Sequence, residues 1–175
     1  MSTPESSAIA VFIGAPGAGK SRIGKRVAQL LDVEFLDTDK LIVAEHGVIS
    51  DIFEQHGEPH FRALEREAVE RALASSAVVA LGGGAVLHPL TQQQLDGLRV
   101  IQLTTSPEAV ASRITNGKRP LLTDGIEAWT ALVATRQPIY DRLATRTFDT
   151  SNYPADKIAA NIAEWLTAET PTEEG

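Results

Sequence analysis

The chain has 175 residues, 43% of them hydrophobic, a formal net charge of -7 and no cysteine. That length predicts one domain around one substantial core, the lack of cysteine excludes disulfides and thiolate metal sites, and the acidic balance argues against a broad nucleic-acid-binding face. The longest apolar runs, "IAVFI" and "AVVAL", fall far short of the roughly 20 residues of a membrane-spanning helix. The stretch "MSTPESSA" lacks a basic segment followed by an apolar one, so no export signal is read and a cytoplasmic location is expected.

The first strand is predicted over Ala8–Gly14 and runs into "GAPGAGKS", which fits G-x-x-x-x-G-K-[ST] at Gly14, Gly19, Lys20 and Ser21. Glycines let backbone N–H groups turn in around a phosphate, and the helix that follows adds its dipole. Lysine supplies a charge and serine a magnesium ligand. The helix "KSRIGKRVAQLLD" places Ile23, Val27, Leu30 and Leu31 on one face. A second strand, Glu34–Asp37, leads into "DTD", so Asp37 and Asp39 stand where ligands gather in parallel sheets. One carboxylate can order the water shell of a magnesium ion and the other accept a proton; alternatively Thr38 or Asp39 only caps a helix.

Further on, "PHFRALEREAVERALA" is an amphipathic helix with Phe61, Leu64, Ala68, Val69 and Leu73 inward, and it carries Arg62 one turn before Glu65. The third strand, Ala77–Leu81, ends in Gly82, Gly83 and Gly84; a tight turn explains one glycine, whereas three suggest close approach of a ligand to the backbone. A fourth strand is predicted over Leu98–Leu103 and a fifth over Arg146–Asp149. Between them, "TNGKRPLLTDG" reads as a mobile loop with Arg119, and a later helix carries Arg136. Single arginines are usually solvated surface, but several arginines in one pocket of an acidic protein would select an anionic substrate. The tail "TAETPTEEG" has too few apolar residues to pack and is expected to fray. Strand and helix alternate throughout, which gives the α/β class with a parallel sheet.

In order, "GAPGAGKS", "LDTD", "DIFEQHGEPHFRALE", "LGGGAV", "KRPLL" and "TRQPIY" closely resemble shikimate kinase, from the first strand to about Pro154. The resemblance implies a three-layer αβα fold with a five-stranded parallel sheet, a P-loop NTPase of the nucleoside-monophosphate-kinase type. Residues 1–169 would form a single kinase domain with a lid at about 114–125, followed by the tail at 170–175. The implied reaction is transfer of the ATP γ-phosphoryl to the 3-hydroxyl of shikimate, giving shikimate 3-phosphate and ADP in chorismate biosynthesis. Shikimate and ATP would be the only partners, with Mg2+ as cofactor, no nucleic acid or membrane, and a monomeric enzyme.

Residue by residue, the resemblance assigns Gly14, Ala15, Pro16, Gly17, Ala18, Gly19, Lys20, Ser21 and Arg22 to ATP, with Arg113 and Pro154 flanking adenine. Arg119 would swing in to the transferring phosphate and, with Lys20 and Asp39, form the catalytic set. Ser21, and Asp37 through water, would hold magnesium. Arg62, Arg136 and the Gly83 backbone would grip the shikimate carboxylate, with Glu65 orienting Arg62, Gly82 and Gly84 alongside, and Asp39 on ring hydroxyls as the base. Phe53 and Phe61 would be apolar walls, although by sequence alone both read as core. Arg22 departs from the family's more usual threonine, which removes a hydroxyl from the nucleotide site. The rival readings are a gluconate or nucleoside-monophosphate kinase on the same scaffold, and a nucleotide-dependent switch that binds a protein. "DTD" with "GGG" favours shikimate over gluconate.

Overall fold

The structure is a computed structural model that describes residues 7–115 and 125–168. The expected lid residues Gly117, Arg119 and Pro120, and the acidic tail, lie outside the described residues. Five strands, β1 (Ala10–Gly14), β2 (Glu34–Asp37), β3 (Ala77–Ala80), β4 (Val100–Thr104) and β5 (Arg146–Asp149), form one all-parallel sheet in the order β2-β3-β1-β4-β5. The helices are α1 (Lys20–Leu31), α2 (Thr38–His46), α3 (Ile49–His56), α4 (Glu58–Leu73), α5 (Pro89–Leu95), α6 (Pro107–Thr115), α7 (Gly125–Leu143) and α8 (Ala155–Ala168), with a 3-10 turn at Ala85–Leu87.

All five predicted strands are present, with small shifts at their ends. Ala8 and Ile9 precede β1, and their N–H groups donate to Leu73 O at the end of α4 and to Ala77 O at the start of β3. Likewise β4 begins after Leu98, whose N–H closes a turn onto Leu95 O. β1 and β3 are buried along their whole length, as expected for central parallel strands covered on both faces.

The two faces have separate cores. On one, Phe12, Val78, Ala80, Ile101 and Leu103 meet Ile23 and Val27 of α1 and Ile158 and Ile162 of α8. On the other, Val11, Ile13, Val79, Leu81 and Val100 meet Val69 and Leu73 of α4, Leu95 of α5 and Tyr140 of α7. Full burial of side chains of this size stabilises the fold by about 1.5–3 kcal/mol each. The predicted apolar face of α1 is partly corrected: Leu30 is 44% exposed, and the smaller Gly24 and Ala28 take the buried positions beside Ile23 and Val27. Among the described residues no helix is long and apolar enough to cross a membrane.

Topology fixes where a ligand can enter. The chain leaves β1 toward β2 on one side and leaves β3 toward β4 on the other, so the connections after these adjacent strands diverge. In open parallel sheets the crevice at such a point, beyond the carboxyl ends of the strands, receives the ligand. Gly14 and the Gly82–Gly84 run lie at its two lips.

Candidate active site

The loop after β1 is shaped by its carbonyls. Lys20 Nζ donates to Gly14 O (2.7 Å) and Ala15 O (3.0 Å). Trp129 Nε1 donates to Pro16 O (2.8 Å), Arg113 Nη1 to Gly17 O (2.5 Å) and Thr150 Oγ1 to Ala18 O (2.8 Å). Five successive carbonyls are thus held by donors, three of them on elements distant in sequence. Fixed in this way, the loop can turn N–H groups toward its concave side, the arrangement that binds phosphate. Gly14, at φ 141°, has no room for a Cβ, which would collide with Leu103 O; Gly17 and Gly19 also have positive φ.

Arg113 therefore stands at the Gly14–Ser21 loop, where it also donates to Thr105 Oγ1 (3.2 Å) and Thr150 O (2.7 Å). Pro154 lies exposed just ahead of α8, four residues past Thr150, and its carbonyl accepts from Lys157 and Ile158. Arg22 is exposed on α1.

Ser21 and Asp37 meet directly, the serine hydroxyl donating to Asp37 Oδ2. Asp37 Oδ1 caps α2 by accepting from Lys40 N (3.2 Å). The capping role that the sequence left open for Thr38 or Asp39 thus falls to Asp37. Thr38, fully buried, accepts from Gly82 N (3.1 Å) and donates to Ala80 O (3.4 Å), tying the start of α2 to the end of β3. Asp39, one residue on, is left to face the crevice.

A hydroxyl and a carboxylate side by side are hard oxygen donors and fit a magnesium ion. Among the described residues no group of three or more His, Cys, Asp or Glu side chains is placed to hold a metal ion; one hydroxyl beside one carboxylate suits an ion completed by phosphate and water.

The three glycines form a bare floor on which the charged groups converge. A Cβ on Gly82 would lie 2.6 Å from Asp39 Oδ1; one on Gly83, 3.1 Å from Arg136 Nη1 and 3.5 Å from Pro16; one on Gly84, 2.5 Å from Arg62 Nη1. Arg62, Asp39 and Arg136 come from α4, α2 and α7 and share this floor with the phosphate loop, so their convergence is tertiary. Arg62 Nη1 is held by Glu65 Oε1 at 2.8 Å, and its guanidinium lies over the Phe61 ring at 5.4 Å. Phe61 itself is core, packed with Ile42, Ile52 and Ala68, while Phe53 is exposed with its ring 4.7 Å from that of Phe61.

The electrostatics follow from burial. Desolvation pushes the Asp39 carboxyl above the ordinary aspartate range and the Asp37 charge adds to this, while Lys20 and Arg62 pull it back. Glu65, 5% exposed, is also pushed up by burial against the opposing pull of Arg62. Tyr140 is buried and donates to Gly83 O (2.7 Å), which pins the middle glycine. Burial raises its pKa despite the neighbouring Arg136.

Most predicted site residues therefore meet in one crevice. Phe53 and Pro154 lie at the surface, Phe61 lies beneath Arg62, and Arg119 is outside the described residues. Sequence reasoning missed three groups that hold the loop and the glycine floor, Trp129, Thr150 and Tyr140, and read Thr38 only as a possible helix cap. A buried Trp or Tyr needs a partner for its polar atom, but only the fold shows which carbonyl serves.

A family model for shikimate kinase matches residues 16–167. The shikimate kinase of Thermobifida fusca is 46% identical over 164 residues, covering 91% of this chain and 95% of that one. Among solved structures, shikimate kinase from Acinetobacter baumannii in complex with shikimate superposes with a TM-score of 0.83 at 28% identity, covering 95% and 96% of the two chains. A gluconokinase from Sinorhizobium meliloti superposes at 0.61 with 18% identity over 95% and 98%, which shows a common fold and no more.

Proposed function

The chain belongs to the shikimate kinase family, and from that premise we propose that it transfers the γ-phosphoryl group of ATP to the 3-hydroxyl of shikimate, releasing shikimate 3-phosphate and ADP. The observation that carries this is the glycine floor: two guanidinium groups and one half-buried carboxylate crowd onto Gly82–Gly84 beside the phosphate loop. Two planar guanidinium forks suit a carboxylate, and an aspartate opposite them suits a ring hydroxyl.

The chemistry needs alignment and charge. The transition state of phosphoryl transfer spreads negative charge over the equatorial oxygens, so positioning and electrostatic stabilisation supply most of the catalysis. The loop from Gly14 to Ser21 cradles the phosphates, and Lys20 places its ammonium on them. Arg62 and Arg136 hold the carboxylate of the acceptor, which turns its 3-hydroxyl toward Asp39. As the hydroxyl oxygen bonds to the γ-phosphorus, its proton passes to Asp39 and the bond to the bridging β–γ oxygen breaks, leaving ADP. The raised pKa of Asp39 makes it a better proton acceptor than a solvated aspartate. Ser21, and Asp37 through water, would hold Mg2+, which supplies neutralising charge between the phosphates. Arg113 and Pro154 are assigned to the adenine side, and Arg119 to the transferring phosphate, on family likeness.

As a working unit, residues 1–169 form one domain that acts as a monomer in the cytoplasm, with shikimate and ATP as its partners and no nucleic acid or membrane. ADP release measured with shikimate, gluconate, AMP or no acceptor tests the reaction. Release that depends on shikimate alone is expected. Dependence on another acceptor, or equal release without one, would replace this reading with the sugar-kinase or switch alternative.

A further inference from the structure

A separate cavity of about 260 Å³ lies behind Arg62, walled by α4, the 3-10 turn and the start of α5. It shares Arg62, Glu65 and Gly84 with the candidate site but is not lined by Lys20, Asp39, Gly82, Gly83 or Arg136. Its volume equals roughly eight or nine waters.

Two of its lining residues carry polar atoms that the fold leaves unsatisfied. Arg66 Nε and Nη1 are buried and have no hydrogen-bond partner among the described residues, and neither has Thr91 Oγ1. Thr91 is 1% exposed. Buried polar atoms are almost always paired, so three orphans on one cavity call for a ligand or ordered water. Water could satisfy the hydrogen bonds of this half-buried arginine, whereas an anion would satisfy them and neutralise its charge as well. Glu65, the one acid in the wall, is already committed to Arg62 at 2.8 Å. Nε and Nη1 are N–H donors of a guanidinium cation, so an anionic oxygen on either makes a charge-assisted hydrogen bond. His88 Nδ1 accepts from Leu90 N (3.1 Å), which leaves Nε2 to bear the ring proton at the exposed rim. The remaining walls, Ala85, Leu87 and Pro89, are apolar.

We propose that this cavity is a second anion site that takes a small organic monocarboxylate, its oxygens on Arg66 and Thr91 and its apolar body against Ala85, Leu87 and Pro89. Because Arg62 and Glu65 stand in both walls, an anion here competes for the Arg62 charge and weakens the hold on the acceptor. This coupling rests on the acceptor reading above, whereas the binding itself does not. By linkage the weakening is reciprocal and partial, since both ligands can be bound together.

Calorimetric titration of the full chain with benzoate, with and without saturating shikimate, tests the site. One benzoate is expected to bind per chain in both conditions. The affinity should fall at least about tenfold in Arg66→Met and about three- to tenfold in the isosteric Thr91→Val, and uncharged benzamide should not bind. Neither variant should change benzoate-free turnover by more than about twofold, because neither residue touches the acceptor floor. No saturable binding, equal affinity in both variants, or full displacement by shikimate would overturn the proposal. An error in the acceptor reading would show separately, as ADP release that ignores shikimate while benzoate still binds in an Arg66-dependent way.

Discussion

Gly82→Ala tests the floor of the site with one methyl group. The new Cβ would lie 2.6 Å from Asp39 Oδ1, 3.2 Å from Cγ and 3.3 Å from Oδ2. Gly82 does not have a positive φ, so alanine fits the backbone and the conflict is with the carboxylate alone. The carboxylate sits on a short side chain and must retreat roughly 0.8 Å to reach ordinary van der Waals contact, and misplacement on the order of 1 Å can cost about 10²-fold in rate. The expected result is a kcat lower by about 10- to 100-fold, an ATP KM within about twofold of wild type, and a stability loss of no more than about 1–3 kcal/mol from overpacking. Gly84→Ala is the companion: its methyl would lie 2.5 Å from Arg62 Nη1 and 2.8 Å from Nη2. Arg62 is long and yields at little cost in stability, so the loss should appear mainly as a raised shikimate KM. A coupled ADP-release assay over both substrates, with a thermal melt, reads all of these. A Gly82→Ala enzyme with kcat within twofold of wild type would refute the reasoning.

Three other expectations follow from the same geometry. Asp39→Asn should lose about 10²- to 10⁴-fold in kcat while ATP still binds. In the parent enzyme, turnover should fall as pH drops through a value above the ordinary aspartate pKa, because burial and Asp37 favour the protonated form and only the carboxylate accepts the proton; a flat pH profile, or near-normal Asn turnover, would remove Asp39 as base. Arg136→Lys should raise the shikimate KM by about tenfold or more with little change in the ATP KM, since an ammonium cannot reproduce the fork; an unchanged shikimate KM would refute it. Trp129→Phe removes the donor to Pro16 O and should cost about 1 kcal/mol of stability, with a severalfold higher ATP KM and an unaltered shikimate KM.

The sequence makes the fold legible because its signals are local. Buried runs such as "AVVAL", and the 3.6-residue spacing of Phe61, Ala68, Val69 and Leu73, belong to single elements, and all of these residues are buried. The phosphate loop is legible for the same reason, with its motif in one stretch between β1 and α1. The acceptor side is different: Asp39, Arg62 and Arg136 are spread over almost a hundred residues, and no spacing rule brings them to one floor. Family resemblance supplied that convergence, and the structure gives its physical cause in the crossover after β3 and the pairing of Thr38 with Gly82.

Supporting contacts were hidden for a related reason. Trp129 and Thr150 look like an ordinary helix residue and a strand-end threonine until Pro16 O and Ala18 O are seen to accept from them. Leu30 shows the opposite error: helical period made it inward, but the tight approach of α1 to the sheet favours the small Gly24 and Ala28 at the seam.

The central claim is that Arg62, Arg136 and Asp39 act together on one ring acid facing the phosphate loop. A crystal structure of the enzyme with shikimate and ADP tests it most directly. The account predicts the carboxylate between the two guanidinium groups over Gly83, and a ring hydroxyl at about 2.6–3.2 Å from Asp39, pointing toward the phosphates. Shikimate bound with its carboxylate away from both arginines, or its hydroxyls away from Asp39, would contradict it.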